Sequence, residues 1–180
     1  MRIVLDTCVL FPTVMRALLL GAAGLGHFTP LWSARILEEW ARAAIRLGPE
    51  GEAQAHAEIA LLRAAWPQAE LPPAPGLEAR LWLPDPADIH VLAVAVAGSA
   101  DVIVTLNAAD FPRRELAEQG IRRLDPDTLL LDLWRGDPSG IAAVVDTVLS
   151  EANRLSGSQW QRRALLKKAR LPRLAKAVSS

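Results

Sequence analysis

Asp88-Ile89-His90-Val91-Leu92-Ala93-Val94-Ala95 is followed, one loop later, by Val102-Ile103-Val104-Thr105-Leu106-Asn107-Ala108-Ala109-Asp110-Phe111. The first run is apolar on nearly every side, which predicts a buried helix over 88–97. The second opens on a short β-branched run, which predicts a strand buried on both faces. The opening of the chain, Arg2-Ile3-Val4-Leu5-Asp6, has the same character, and residues 121–124 form a weaker strand candidate. Helical stretches at 14–20, 34–46, 51–65 and 128–134 accompany these strands. Short apolar strands separated by helices predict an α/β protein of three layers, with a central, mainly parallel sheet flanked by helices. Ligands bind beyond the carboxyl ends of the strands in such folds, and Asp6 and Asn107 stand at those ends.

The 180 residues fit one domain with an appendage. A composition of 51% hydrophobic and 22% charged residues is that of a soluble globular protein. The single cysteine, Cys8, excludes an intramolecular disulfide framework and suits a reducing cytoplasm. Its apolar setting predicts a small buried hydrophobe rather than a reactive thiol. The opening run is too short for a secretory signal, and Asp6 interrupts it. Residues 17–34 carry no Asp, Glu, Lys or Arg, but glycines and Pro30 break the stretch, so no membrane span is expected.

The net charge of zero conceals an asymmetry. Residues 1–150 hold 12 Lys and Arg against 19 Asp and Glu, whereas residues 151–180 hold 8 against 1. The stretch 136–140 breaks the chain, and helix-like 141–155 and basic residues to about Lys176 follow it. We therefore expect a domain over 1–135 and a helical, basic extension over 136–180. Arg162, Arg163, Lys167 and Lys168 are its candidates for contact with RNA or an acidic partner. Residues 72–76, Pro-Pro-Ala-Pro-Gly, read as an extended connector inside the domain.

Each acid of interest also has an ordinary reading. Asp6 can form a turn. Asp85 is a good helix N-cap, with Pro86 in the first turn and Asp88 near the dipole's positive end. Asn107 and Asp110 repeat that spacing. Glu38 and Glu39 follow Ser33, a plausible N-cap, and periodicity does not choose between them. His27, His56 and His90 have no zinc-ligand spacing, and no glycine-rich phosphate loop or nucleophile elbow is present. The six tryptophans read mainly as packing residues; Trp82 and Trp160 lie in less regular surroundings, where one could stack on a base or anchor a partner. The acids mean more as a set. Several carboxylates aimed at one point repel each other unless a cation sits between them, which points to a divalent metal and phosphate chemistry.

Taken together, these segments resemble the PIN domain family over roughly residues 1–135. Met-Arg-Ile-Val-Leu-Asp-Thr-Cys-Val-Leu at 1–10 is similar to the family's first strand with its metal-binding aspartate, here Asp6. Leu83-Pro84-Asp85-Pro86-Ala87-Asp88 with the following helix resembles the third acidic motif, and residues 100–111 resemble the motif after it. Ser33-Ala34-Arg35-Ile36-Leu37-Glu38-Glu39-Trp40 is similar to the segment bearing the second acid and selects Glu39. The resemblance implies a metal-dependent ribonuclease of the toxin type, with a non-catalytic RNA- or protein-binding module as the alternative. It implies Asp6, Glu39, Asp88 and Asp110 as the catalytic set, with Asp6, Asp88 and Asp110 on Mg²⁺ or Mn²⁺. Asp85, Thr105 and Asn107 support them, the last two by holding a phosphate or a water. RNA, an antitoxin protein and a second copy of the chain are the partners it implies. Two departures stand out: Cys8 occupies a position often polar, which predicts a lost contact near the metal, and Asn107 replaces an acid found in some members.

Overall fold

In the computed structural model, which describes residues 1–178, the chain alternates strand and helix before ending in helices alone. Its order is β1 (Arg2–Leu5), α1 (Thr7–Leu10), α2 (Thr13–Gly24), β2 (Thr29–Ser33), α3 (Ala34–Ala44), α4 (Gly51–Ala65), β3 (Glu70–Leu71), α5 (Pro75–Glu78) and α6 (Ile89–Ala97). Then come β4 (Val102–Val104), α7 (Arg113–Glu118), β5 (Arg122–Leu124), α8 (Pro126–Gly136), α9 (Pro138–Ser156), α10 (Arg162–Lys168) and α11 (Pro172–Ala177). Residues 1–11 and 29–123 form one compact unit; residues 12–28 and 124–180 form a second.

The first unit is built on a five-stranded sheet in the order β3-β2-β1-β4-β5. The pairs β1–β2, β1–β4 and β2–β3 are parallel, with Ile3 opposite Pro30 on one side and Val102 on the other. Ile3, Val4, Leu5, Val102, Ile103 and Val104 have no exposed surface, as strands covered on both faces require. The covering includes α6, which packs against β1, β2 and β4 and buries the run His90–Ala95. The Asp6 N–H donates to Val104 O at 3.2 Å, so the β1–β4 ladder carries on to the acid itself.

Two strands escaped the sequence expectation. β2 contains Pro30 near the middle of the sheet, where a missing N–H normally breaks a ladder. Here Thr29 N–H faces β1, donating to Met1 O, and Trp32 N–H faces β3's side, donating to Ala69 O. By alternation Pro30 faces β3's side too, but β3 pairs only with Trp32 and Ser33. The proline therefore sits where β2 is locally an edge. β3 itself has two residues, too few for a periodic signal. The connector at 72–76 is extended only in part, because Pro75 begins the short helix α5.

The second unit is helical. α2 packs on α8 and α9, and α8 packs on α9 and α11. α2 runs past the expected 14–20 stretch to Gly24. The C-terminal extension is helical as expected, but Gly157 (φ 63°) and Arg170 (φ 62°) divide it into α9, α10 and α11. Asp127, buried in α8, accepts from Arg173 N and Leu174 N, each at 2.9 Å, and so caps α11 from a distance. The two units do not divide at residue 135: α8 and the early helix α2 belong with the C-terminal helices, and no compositional break marks either. No helix among the described residues is long and apolar enough to cross a membrane.

Candidate metal centre

Asp6 leaves β1 and caps α1: its Oδ1 accepts from Thr7 N at 2.7 Å. Its Oδ2 accepts from Thr105 Oγ1 at 2.7 Å and lies 3.2 Å from Cys8 Sγ. The carboxylate is almost fully buried, and these donors offset its lost hydration. Thr105 follows β4 and is itself buried, so its hydroxyl is committed: it donates to Asp6 and accepts from Asn107 N at 2.9 Å. The expectation that Thr105 holds a phosphate or a water is thus replaced by a role in fixing Asp6.

Cys8 keeps the supporting contact that its departure from the family pattern was expected to lose. Its Sγ meets Asp6, lies 3.3 Å from Thr105 Oγ1 and accepts from Leu106 N at 3.2 Å. Burial, and then the charge of Asp6, push its thiol up to about 12. Cys8 in the folded chain is therefore expected to react with iodoacetamide at pH 8 at least about 100-fold more slowly than in denaturant, because the thiolate is the nucleophile. Equal rates, followed by mass spectrometry, would show the thiol to be ionised and open.

Asp85 caps a 3₁₀ turn at Pro86–Asp88, with Ala87 N donating to its Oδ1 at 2.8 Å. The ordinary reading holds there. Asp88 sits in the first turn, where the ordinary reading puts it at the dipole's positive end, but its side chain caps nothing and is left for the cleft. Asn107 does not start a helix. Its Nδ2 donates to Asp110 Oδ2 at 2.6 Å and to Asp88 Oδ2 at 3.3 Å, bridging the two acids. Carboxylate oxygens of Asp85, Asp88 and Asp110 all lie within 4.8 Å of one another. Burial first, then Asp6, Asp85, Asp110 and Glu39, push the Asp88 carboxyl up to about 6. Repulsion of that kind is what a divalent cation relieves, and an all-oxygen donor set suits Mg²⁺ or Mn²⁺.

The two candidate glutamates separate cleanly. Glu38 is exposed, while Glu39 turns into the site, where Oε2 accepts from Thr7 Oγ1 at 3.1 Å. Burial favours its neutral form, but His90, Thr7 and Arg35 outweigh that and hold the carboxyl below its ordinary range. Asp6, Glu39, Asp88 and Asn107 line an open cleft of about 520 Å³ with Thr7, Cys8, Phe11, Ala43, Arg46 and Leu47. Arg46 was missed in the sequence. Glu39, Ala43 and Arg46 recur at four and three residues, the spacing of one helix face, and that signal would have found it.

Of the expected tail contacts, Arg162 is taken up by Asp146, with Nε 2.6 Å from Oδ1. Arg163, Lys167 and Lys168 are exposed, and Lys168 Nζ lies 4.6 Å from the centre of the Trp160 ring. Trp82 is 62% exposed, whereas Trp32 and Trp40 are core. His56 is a surface residue beside Glu52.

A family model described as PIN domain matches residues 2–109, a span that holds Asp6, Glu39, Asp85, Asp88, Thr105 and Asn107. No curated protein and no solved structure matches the chain.

Proposed function

This chain belongs to the PIN domain family, a nuclease-type fold, and from that premise we propose that it is a metal-dependent endoribonuclease. It hydrolyses RNA phosphodiester bonds in the cytoplasm as the toxin of a toxin–antitoxin pair. The observation that carries the reading is the cluster of Asp85, Asp88 and Asp110, whose carboxylate oxygens lie within 4.8 Å of one another; burial first, and then the charges of Asp6, Asp85, Asp110 and Glu39, push the Asp88 carboxyl up to about 6.

Asp6, Asp88 and Asp110 would hold Mg²⁺ or Mn²⁺, with Asp85 beside them. The cation supplies charge neutralisation and Lewis-acid polarisation of the scissile phosphate. The chain's own groups do the positioning. Thr105 and Thr7 N–H fix Asp6, and Asn107 holds Asp88 and Asp110 at one spacing. Glu39, kept ionised, accepts a hydrogen bond from the attacking water and orients it in line with the leaving oxygen. Arg46, at the cleft wall, offsets the acidic field that would otherwise repel RNA. Arg163, Lys167 and Lys168 serve RNA or an acidic antitoxin segment, and the active form includes a homodimer.

A mixed RNA pool incubated with purified protein in Mn²⁺, in Mg²⁺ and in chelator tests the reading. We expect cleavage with either metal and none in chelator. Absence of cleavage by folded, partner-free protein in all three would instead make the chain a binding module.

A further inference from the structure

His90 is the one polar side chain of α6, whose other residues are Ile, Leu, Val and Ala. It is only 2% exposed. Neither ring nitrogen has a hydrogen-bond partner among the described residues. Nε2 faces Glu39 Oε1 at 2.9 Å, close enough for an ion pair but outside hydrogen-bond alignment in this conformation. Stability gives no reason for an imidazole at this place. Nδ1 is buried with no partner and Nε2 meets only Glu39, so a leucine of similar size would fill the space without burying an unpaired nitrogen.

What the imidazole does touch is the carboxylate of the cleft. Glu39 reaches there on a side chain with three rotatable bonds, so something must fix its head group. Thr7 Oγ1 holds Oε2. On the other oxygen, Arg35 Nε lies 3.5 Å away, but Arg35 is exposed and also engages Glu78 and Ala87 O. The buried, immobile contact to Oε1 is His90. Asp88 stands two residues before it, so one helix start presents Asp88 to the cleft and His90 to Glu39.

We propose that His90 is a positioning residue that sets the orientation of Glu39 in the cleft. Its activity readout rests on the nuclease reading; its stability readout does not. The full chain, His90→Leu, His90→Gln, Glu39→Gln and the double variant His90→Leu/Glu39→Gln would be compared. His90→Leu lowers kcat about 10- to 100-fold with KM little changed, the size expected for a misplaced catalytic group. The thermal midpoint of its metal-free form equals or exceeds the parent's. His90→Gln, whose amide nitrogen can donate from a similar place, restores most of the lost rate. In the Glu39→Gln background the leucine variant loses nothing further, and the shifts in thermal midpoint of the two single variants do not add in the double.

A fully active His90→Leu overturns the proposal, as does a rate loss that multiplies with that of Glu39→Gln. A fall in midpoint matching the fall in rate would make His90 a core residue only. If the parent itself cleaves no RNA, the nuclease reading falls, and the thermal comparison still decides: additive midpoints mean that His90 does not act on Glu39.

Discussion

Asp88→Asn is expected to remove metal-dependent cleavage, by about 10²–10³-fold or more, while making the metal-free protein more stable at neutral pH. The two effects have one cause. Burial and the charges of Asp6, Asp85, Asp110 and Glu39 push the folded carboxyl up to about 6, against 3.8 for the ordinary group. A raised value means that the folded state favours the protonated acid. That stabilising contribution is complete below about 3.8 and is lost as pH rises through about 6. Above that the charged Asp88 opposes folding. Asparagine keeps the shape and removes the charge, for a gain on the order of 1 kcal/mol after solvent screening. In a protein of this size that raises the midpoint by about 2–4 °C.

Thermal scans in chelator at pH 8 and pH 4 check the sign: the variant leads at pH 8, and the lead closes at pH 4. Added Mn²⁺ should reverse the order at pH 8, because a ligand that binds only the folded parent stabilises it by about 2.7 kcal/mol at 100 times its Kd. A variant less stable than the parent in chelator at pH 8 would make Asp88 a structural acid, and the metal site would have to be abandoned.

Phe111→Ala should be the most damaging change outside the acids. Phe111 has no exposed surface and directly follows Asp110. Its carbonyl accepts from Arg123 Nη1 at 2.9 Å, so side chain and backbone together anchor the segment that presents Asn107 and Asp110. Truncating a buried phenylalanine costs about 3–5 kcal/mol, a fall in midpoint of about 10 °C here. Cleavage should fall further than the folded fraction explains, since the loop that carries Asp110 loses its anchor. Assay at a temperature where circular dichroism shows the variant folded separates the two effects. Full activity there would mean that Asp110 is placed independently of Phe111.

Much of this was legible in the chain. Strands buried on both faces announce themselves as apolar runs, so β1 and β4 were readable and the parallel sheet followed. β2 was not, because Pro30 contradicts a ladder unless one knows that β3 stops short of it. The acids were found as types, but their partners were not. Spacing cannot show that Cys8 Sγ rests on Asp6, that Thr105 is turned inward, or that Asn107 bridges two carboxylates. The contacts from Thr105 and Leu106 to Asp6 and Cys8, and from Asn107 to Asp88, join residues far apart in sequence, and even the local ones depend on side-chain orientations that spacing does not show. Glu39 was separable from Glu38 by resemblance alone, and the reason, its turn toward Thr7 and His90, is tertiary.

The place of the first strand at the middle of the sheet has a bearing on synthesis. A growing chain that has reached residue 100 already holds Asp6, Glu39, Asp85 and Asp88, yet it lacks β4, to which Asp6 is bonded. Thr105, Asn107 and Asp110 are still to be added. Chains lengthen by about 5–20 residues per second, so the ten residues from 100 to Asp110 take about 0.5–2 seconds, during which the early acids have nothing to gather them. On the proposed function, cleavage would have to wait until β4 pairs with β1 and the later acids join the early ones.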